Sequence, residues 1–205
     1  MRIYGGDVLA GHTLDARGGH DSIFDDSARL HTLRGGAGDD TIVAPKGNKK
    51  LFGDAGHDQL LSGEGDDELN GGQGNDRLSG GKGDDTYVID RHDDRTHIED
   101  SGGTDEIVLT GIALKDLRVV KKDEDMYLFS AQEEAQTPFS IKIRKGASSS
   151  EHKVEYLFVN GQVALIEEIA SWEANEKQAL IDQHEHAFLF QSAPFSELGE
   201  LFNRH

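Results

Sequence analysis

A nine-residue period runs from Gly35 to Val88, and few folds can use one. The chain reads GGAGDDTIV, APKGNKKLF, GDAGHDQLL, SGEGDDELN, GGQGNDRLS and GGKGDDTYV. Glycine holds the fourth place in all six copies: Gly38, Gly47, Gly56, Gly65, Gly74 and Gly83. Aspartate holds the sixth in five of them (Asp40, Asp58, Asp67, Asp76, Asp85), and Lys49 stands there in the second. A large apolar residue fills every eighth place: Ile42, Leu51, Leu60, Leu69, Leu78 and Tyr87. Leu33 extends that column one step earlier. Weaker copies flank the array, ARGGHDSIF at 16–24 and DSGGTDEIV at 100–108, offset by insertions of one or two residues.

Three residues with one inward apolar side chain make a very short strand. Six glycine-rich residues make a tight turn, because glycine reaches positive φ without a Cβ penalty. A strand and a turn every nine residues close one flattened coil per two repeats, so residues 18 apart stack above one another. The expected fold is all-β, a parallel solenoid. Loops 35–40, 53–58 and 71–76 line one edge, and loops 44–49, 62–67 and 80–85 line the other. A Gly/Asp linker would not keep an apolar residue at every ninth position.

Such a stack cannot hold together unaided. One buried apolar side chain per nine ordered residues is a poor return against backbone entropy. Stacked aspartates add repulsion: residues 35–108 carry 18 acidic and 7 basic side chains, net −11. A cation between coils reverses the sign of that repulsion. Carboxylates and exposed carbonyls are hard oxygen donors, and in flexible loops they favour Ca2+ over the stricter octahedron of Mg2+. Binding then supplies folding free energy directly.

Composition narrows the rest. The 205 residues hold 39 acidic and 21 basic side chains, a net charge of −18, which argues against a nucleic-acid partner. With no cysteine there is no disulfide, thiol nucleophile or cysteine zinc site. No apolar run is long enough to span a membrane, and residues 1–15 lack the apolar core of a signal peptide. Of 25 glycines only Gly111, Gly146, Gly161 and Gly199 come after residue 110, which marks a boundary in the chain.

GGAGDD, GGQGND and GGKGDD resemble the G-G-x-G-x-D-x-U-x repeat of RTX (haemolysin-type calcium-binding) proteins, whose parallel β-roll holds Ca2+ between turns. The run DTYVID…HIEDSGGTDEIVL resembles the segment that ends their arrays. The region C-terminal to that run resembles the flank of RTX toxins and adhesins exported by type I secretion. The resemblance implies several Ca2+ ions, each shared by same-edge loops of neighbouring coils. The implied aspartate pairs are Asp40/Asp58 and Asp58/Asp76 on one edge and Asp67/Asp85 on the other. The implied carbonyl donors are Gly35, Ala37, Gly53, Ala55, Gly71, Gln73, Ser62, Glu64, Gly80 and Lys82. Asp21 with Asp40, and Asp85 with Asp100 or Asp105, are implied outer sites. Loop 44–49 departs from the pattern, and the expectation is that the site between loops 44–49 and 62–67 is empty or distorted by Lys46, Lys49 and Lys50.

Beyond residue 110 the pattern becomes ordinary alternation. Phe139–Arg144 reads as a half-buried strand. Val154–Val159 and Gln162–Ile166 around Asn160-Gly161 read as a hairpin with a type I′ turn. Leu117–Lys121 and Met126–Ser130 read as another. The expected organisation is a β-roll over 1–110, a small antiparallel capping region over 111–166, and a helix with a tail over 167–205. Capping is the preferred role of 111–166, since an open roll exposes core and strand edges; an independent ligand-binding domain is the alternative. Residues 168–190 read as a helix with Ser171 as N-cap. The tail after it has the texture of a type I secretion signal, and equally of an ordinary docking helix.

No H-E-x-x-H, G-x-S-x-G or P-loop is present, so the chain reads as a non-enzyme. His184 and His186, at i and i+2, face different sides of a helix and do not form a metal pair. The expectation is a calcium-binding module that folds after secretion, the C-terminal part of a bacterial toxin and virulence protein. Its partners are calcium and the type I secretion apparatus. The alternative is a Ca2+-dependent adhesin domain that contacts a host cell surface.

Overall fold

A computed structural model describes residues 2–4, 11–122, 125–130, 140–144 and 154–165. The expected helix over 168–190 and the tail beyond it lie outside these residues. Among the described residues there is no α-helix, only one turn of 3-10 helix at Leu114–Asp116.

Strands alternate between two sheets as the nonapeptide period requires. One face of the roll is built from β1 (Arg2–Tyr4), β3 (Ser22–Phe24), β5 (Thr41–Val43), β7 (Gln59–Leu61), β9 (Asn75–Ser79) and β11 (Arg95–Glu99). The other is built from β2 (Thr13–Asp15), β4 (His31–Ala37), β6 (Lys49–Ala55), β8 (Glu68–Gln73), β10 (Thr86–Asp90) and β12 (Asp105–Thr110). Every neighbour pair within these twelve strands is parallel.

The register places the eighth-place side chains in two facing columns. Ile23, Ile42, Leu60, Leu78 and Ile98 stack on the first sheet. Leu33, Leu51, Leu69, Tyr87 and Ile107 stack on the second. All of them are buried and form one continuous core. The irregular flanking copies stack as well, because the extra residues at 19- and 20-residue spacings are taken up in the turns while the inward side chain stays in column. After β2, the roll strands of the second sheet are longer than the three residues the pattern suggests. In β4, β6 and β8 the ladder continues through Gly35-Gly36, Gly53-Asp54 and Gly71-Gly72, pairing Gly36 with Asp54 and Asp54 with Gly72.

The C-terminal strands join both faces of the roll. β15 (Ser140–Arg144) adds in parallel to β11, and β16 (Val154–Val159) adds in parallel to β12. Each then carries antiparallel neighbours. β14 (Asp125–Ser130) and β13 (Leu117–Lys122) lie beyond β15, and β17 (Gln162–Leu165) lies beyond β16. Both expected hairpins form. Asn160 and Gly161 have φ of 51° and 81°, as a type I′ turn demands. The antiparallel region is therefore fused to the roll's two sheets: Ile143 continues the column of Ile98, and Leu157 that of Ile107.

Candidate metal centres

The sixth-place aspartates form two hydrogen-bonded ladders, one on each edge. On the first, Oδ1 of Asp40 accepts the amide of Asp21 at 2.7 Å, Asp58 that of Asp40 at 2.8 Å, and Asp76 that of Asp58 at 2.9 Å. On the second, Asp67 accepts from Lys49 at 2.6 Å, Asp85 from Asp67 at 2.8 Å, and Asp105 from Asp85 at 2.9 Å. Asp105 in turn donates its amide to Glu155 at 2.9 Å, which ties β16 to the end of the ladder. Each carboxylate thus reaches back to the preceding coil with one oxygen.

The other oxygen has no protein partner. Oδ2 of Asp40, Asp58, Asp67, Asp76, Asp85 and Asp105 is buried and accepts no hydrogen bond. A buried carboxylate oxygen without a partner costs several kcal/mol unless a proton or a cation meets it. Burial, aided by like-charged neighbours, pushes Asp58 up to about 6, Asp76 to about 7, Asp85 to about 8 and Asp105 to about 9. Asp67 is pushed up to about 6 by burial alone, with Lys49 opposing, and Asp40 is raised for the same reason as its ladder neighbours. Two columns of unmatched hard oxygen are what divalent cations would satisfy, and the residues present fit Ca2+.

Glycine at the first place makes room for this carboxylate. A Cβ on Gly53 would strike Oδ2 of Asp58 and the carbonyl of Gly71, with Asp58 Cγ 2.8 Å away. Gly35, Gly71 and Gly80 meet the carboxylates of Asp40, Asp76 and Asp85 in the same way. Gly53→Ala should raise the calcium concentration needed for folding at least about tenfold, equivalent to about 1.4 kcal/mol. Gly18→Ala is the control, since its Cβ comes no closer than 3.5 Å to anything. Equal calcium midpoints for the two variants, read by circular dichroism, would show that the first-place glycine has no such role.

The outer carboxylates converge at the far end of the second edge. Ligand oxygens of Asp85, Asp100 and Asp105 lie within 4.8 Å of one another. Tyr87 links this cluster to the core. Its hydroxyl donates to Asp100 Oδ2 at 2.5 Å and accepts the Gly80 amide at 2.9 Å, and burial drives its pKa well above the usual value. Among the implied carbonyls, those of Ala37, Ala55, Gln73 and Lys82 each accept one amide from the preceding coil, from Gly19, Gly38, Gly56 and Gly65, leaving a second lone pair. Gly80's carbonyl accepts the Ser62 hydroxyl at 2.9 Å. The Glu64 side chain faces outward, 3.5 Å from Lys82.

Three features escaped the sequence pattern. Asp93 is buried, accepts the Asp90 amide at 2.8 Å and is pushed up to about 6 by burial and by Asp90 and Asp94. Its charge also bears on Asp76. Only the Asp93-Asp94 pair beside a two-residue insertion hinted at it. Fifth-place side chains form an exposed second ladder: Asp39 accepts the His57 amide and His57 the Asn75 amide, while Asp66 accepts that of Asp84 and Asp84 that of Thr104. The third feature is Lys49. It is fully buried, and its ammonium reaches back toward loop 26–31, so it does not enter the gap between loops 44–49 and 62–67. Burial lowers its pKa, opposed by Asp25 and Asp67.

Parallel coils, glycine turns and carboxylate ladders with open oxygens define a cation-binding β-roll. Residues 32–60 and 52–87 match the family model of the RTX calcium-binding nonapeptide repeat (4 copies), and this stretch is an RTX repeat block. Such a block binds several Ca2+ ions in its roll. No curated protein matches the chain.

Proposed function

We propose that the chain is a calcium-gated folding module, the C-terminal part of a secreted bacterial toxin of the haemolysin kind that leaves the cell by type I secretion. The observation that carries this reading is the in-register column of buried, unmatched Oδ2 atoms on each edge of the roll. Ions would be held by the pairs Asp40/Asp58, Asp58/Asp76 and Asp67/Asp85. Outer ions would be held by Asp21 with Asp40 and by Asp85 with Asp100 and Asp105. The carbonyls of Gly35, Ala37, Gly53, Ala55, Ser62, Glu64, Gly71, Gln73, Gly80 and Lys82 complete the oxygen sets. Residues 111–166 close the end of the roll, and residues 167–205 carry the export signal.

Charge drives the switch. Where calcium is scarce the ladders repel, the coils stay open, and an extended chain can thread an export channel. At the roughly 10⁻⁴–10⁻³ M affinities of extracellular modules, the roll condenses outside. The module's work in this reading is to bind calcium and to fold upon it. No helix among the described residues is long and apolar enough to cross a membrane.

Calorimetric titration with Ca2+, monitored in parallel by far-UV circular dichroism, tests the reading. A cooperative gain of β signal with calcium uptake is expected. Heat of binding without any change in the spectrum would leave a calcium protein but remove the folding switch.

A further inference from the structure

We propose that Lys49 is a tethered cation standing in the place of a calcium ion between loops 26–31 and 44–49, so that this one junction of the roll closes without metal. The inference rests on the calcium reading of the other loops. Lys49 occupies the sixth place of its loop, where the other five copies carry the aspartate. Its amide keeps the ladder by donating to Asp67 Oδ1, so the backbone there is regular and only the charge has changed sign.

The ammonium is held as a cation site would hold an ion. Nζ donates to the carbonyls of Ser27 at 2.8 Å, Arg29 at 2.6 Å and Lys46 at 2.6 Å. Those three bonds use all three of its protons. Lys46 supplies the third-place carbonyl, the same place as Ala37, Ala55 and Gln73 in their loops. The lower loop contributes backbone oxygens, as a lower loop would to a shared ion. One carboxylate, Asp25, lies 3.9 Å from Nζ, and both side chains are 0% exposed.

The lower loop is altered to match. Its sixth place is His31, which registers with Lys49 and is itself fully buried. His31 Nδ1 sits 2.6 Å from Asp25 Oδ2, and the Ser27 amide donates to Asp25 Oδ1 at 3.0 Å. Neither sixth place at this junction therefore offers a carboxylate. A divalent ion added here would share three carbonyls with an ammonium and meet one occupied carboxylate. The Lys49 ammonium offsets the Asp25 carboxylate at this junction, whereas the neighbouring junctions are left negative. The roll accordingly binds one ion fewer than its stack of loops would suggest, and this junction ignores the calcium concentration.

Lysine labelling of the full chain in saturating calcium, read by mass spectrometry, tests this directly. Lys46, Lys50 and Lys82 should be labelled readily, and Lys49 at least about tenfold more slowly. In parallel, Lys49→Asp returns the carboxylate to the sixth place and should add one bound Ca2+ per chain in equilibrium dialysis, whereas Lys49→Met should add none. A chain that takes up calcium yet has Lys49 labelled as fast as Lys46 overturns this inference alone. An unchanged ion count in Lys49→Asp does the same. A chain that takes up no calcium overturns it together with the calcium reading.

Discussion

In a chelator at pH 8 the roll should be lost, and acidification to about pH 5 in the same chelator should restore it without metal. The open Oδ2 atoms can be met by protons as well as by ions. Folded without calcium, Asp58 and Asp67 titrate at about 6, Asp76 at about 7, Asp85 at about 8 and Asp105 at about 9, all raised first by burial. In the unfolded chain an aspartate titrates near 3.9. Between about pH 4 and pH 9 the folded metal-free roll therefore binds more protons than the unfolded chain. Its stability is greatest on the acid side and falls as pH rises through each folded pKa. Each group contributes up to about 1.4 kcal/mol per pH unit within its window. With calcium bound the carboxylates stay ionised, and the dependence should reverse, with acid displacing the ions. Far-UV circular dichroism at the two pH values, with and without calcium, reads all four states. A chain equally unfolded at pH 5 and pH 8 in chelator would sink the claim that unmatched buried carboxylates are what keeps the roll open.

Asp58→Asn should be the most damaging single change of charge, and Asp39→Asn one of the mildest, although both lie in neighbouring coils on one edge. Asp58 is buried at the centre of its ladder, donating to Asp76 and accepting from Asp40, so its Oδ2 would serve ions on both sides in the proposed reading. The amide keeps the shape and places an N–H₂ where an ion must sit. The loss of one or two bound ions is expected, with a calcium midpoint raised at least about tenfold, or about 1.4 kcal/mol. Asp39 is half exposed, and its Oδ1 accepts the His57 amide at 2.9 Å. Asparagine retains that acceptor, so the midpoint should move by less than about 0.5 kcal/mol. Comparable shifts in calcium titrations of the two variants would mean that overall charge, rather than the buried column, sets the affinity.

The column of eighth-place residues shows why so much of this fold is readable along the chain. In a solenoid each coil touches only its neighbours, so a contact between Leu51 and Leu69 is restated every 18 residues as the same letter in the same place. Ladder membership of Asp40, Asp58, Asp76, Asp67 and Asp85 is legible for the same reason. Asp93 and Tyr87 were not legible as site residues. Asp93 lies beside an insertion that breaks the period, and Tyr87 occupies a core place where only its hydroxyl, reaching Asp100, gives it a second role.

The repeat in the sequence determined the parallel roll, its two apolar columns, its edges of aspartate and its demand for a hard divalent cation, because local period and stacking neighbour are the same information there. The tertiary structure alone decided how the roll ends and where its exceptions point. That β15 and β16 extend opposite sheets depends on pairings about 45 to 50 residues apart in the chain, which no local pattern encodes. That Lys49 turns to loop 26–31 depends on where the carbonyls of Ser27, Arg29 and Lys46 stand to accept its three protons, and only the packed coils set those oxygens in place.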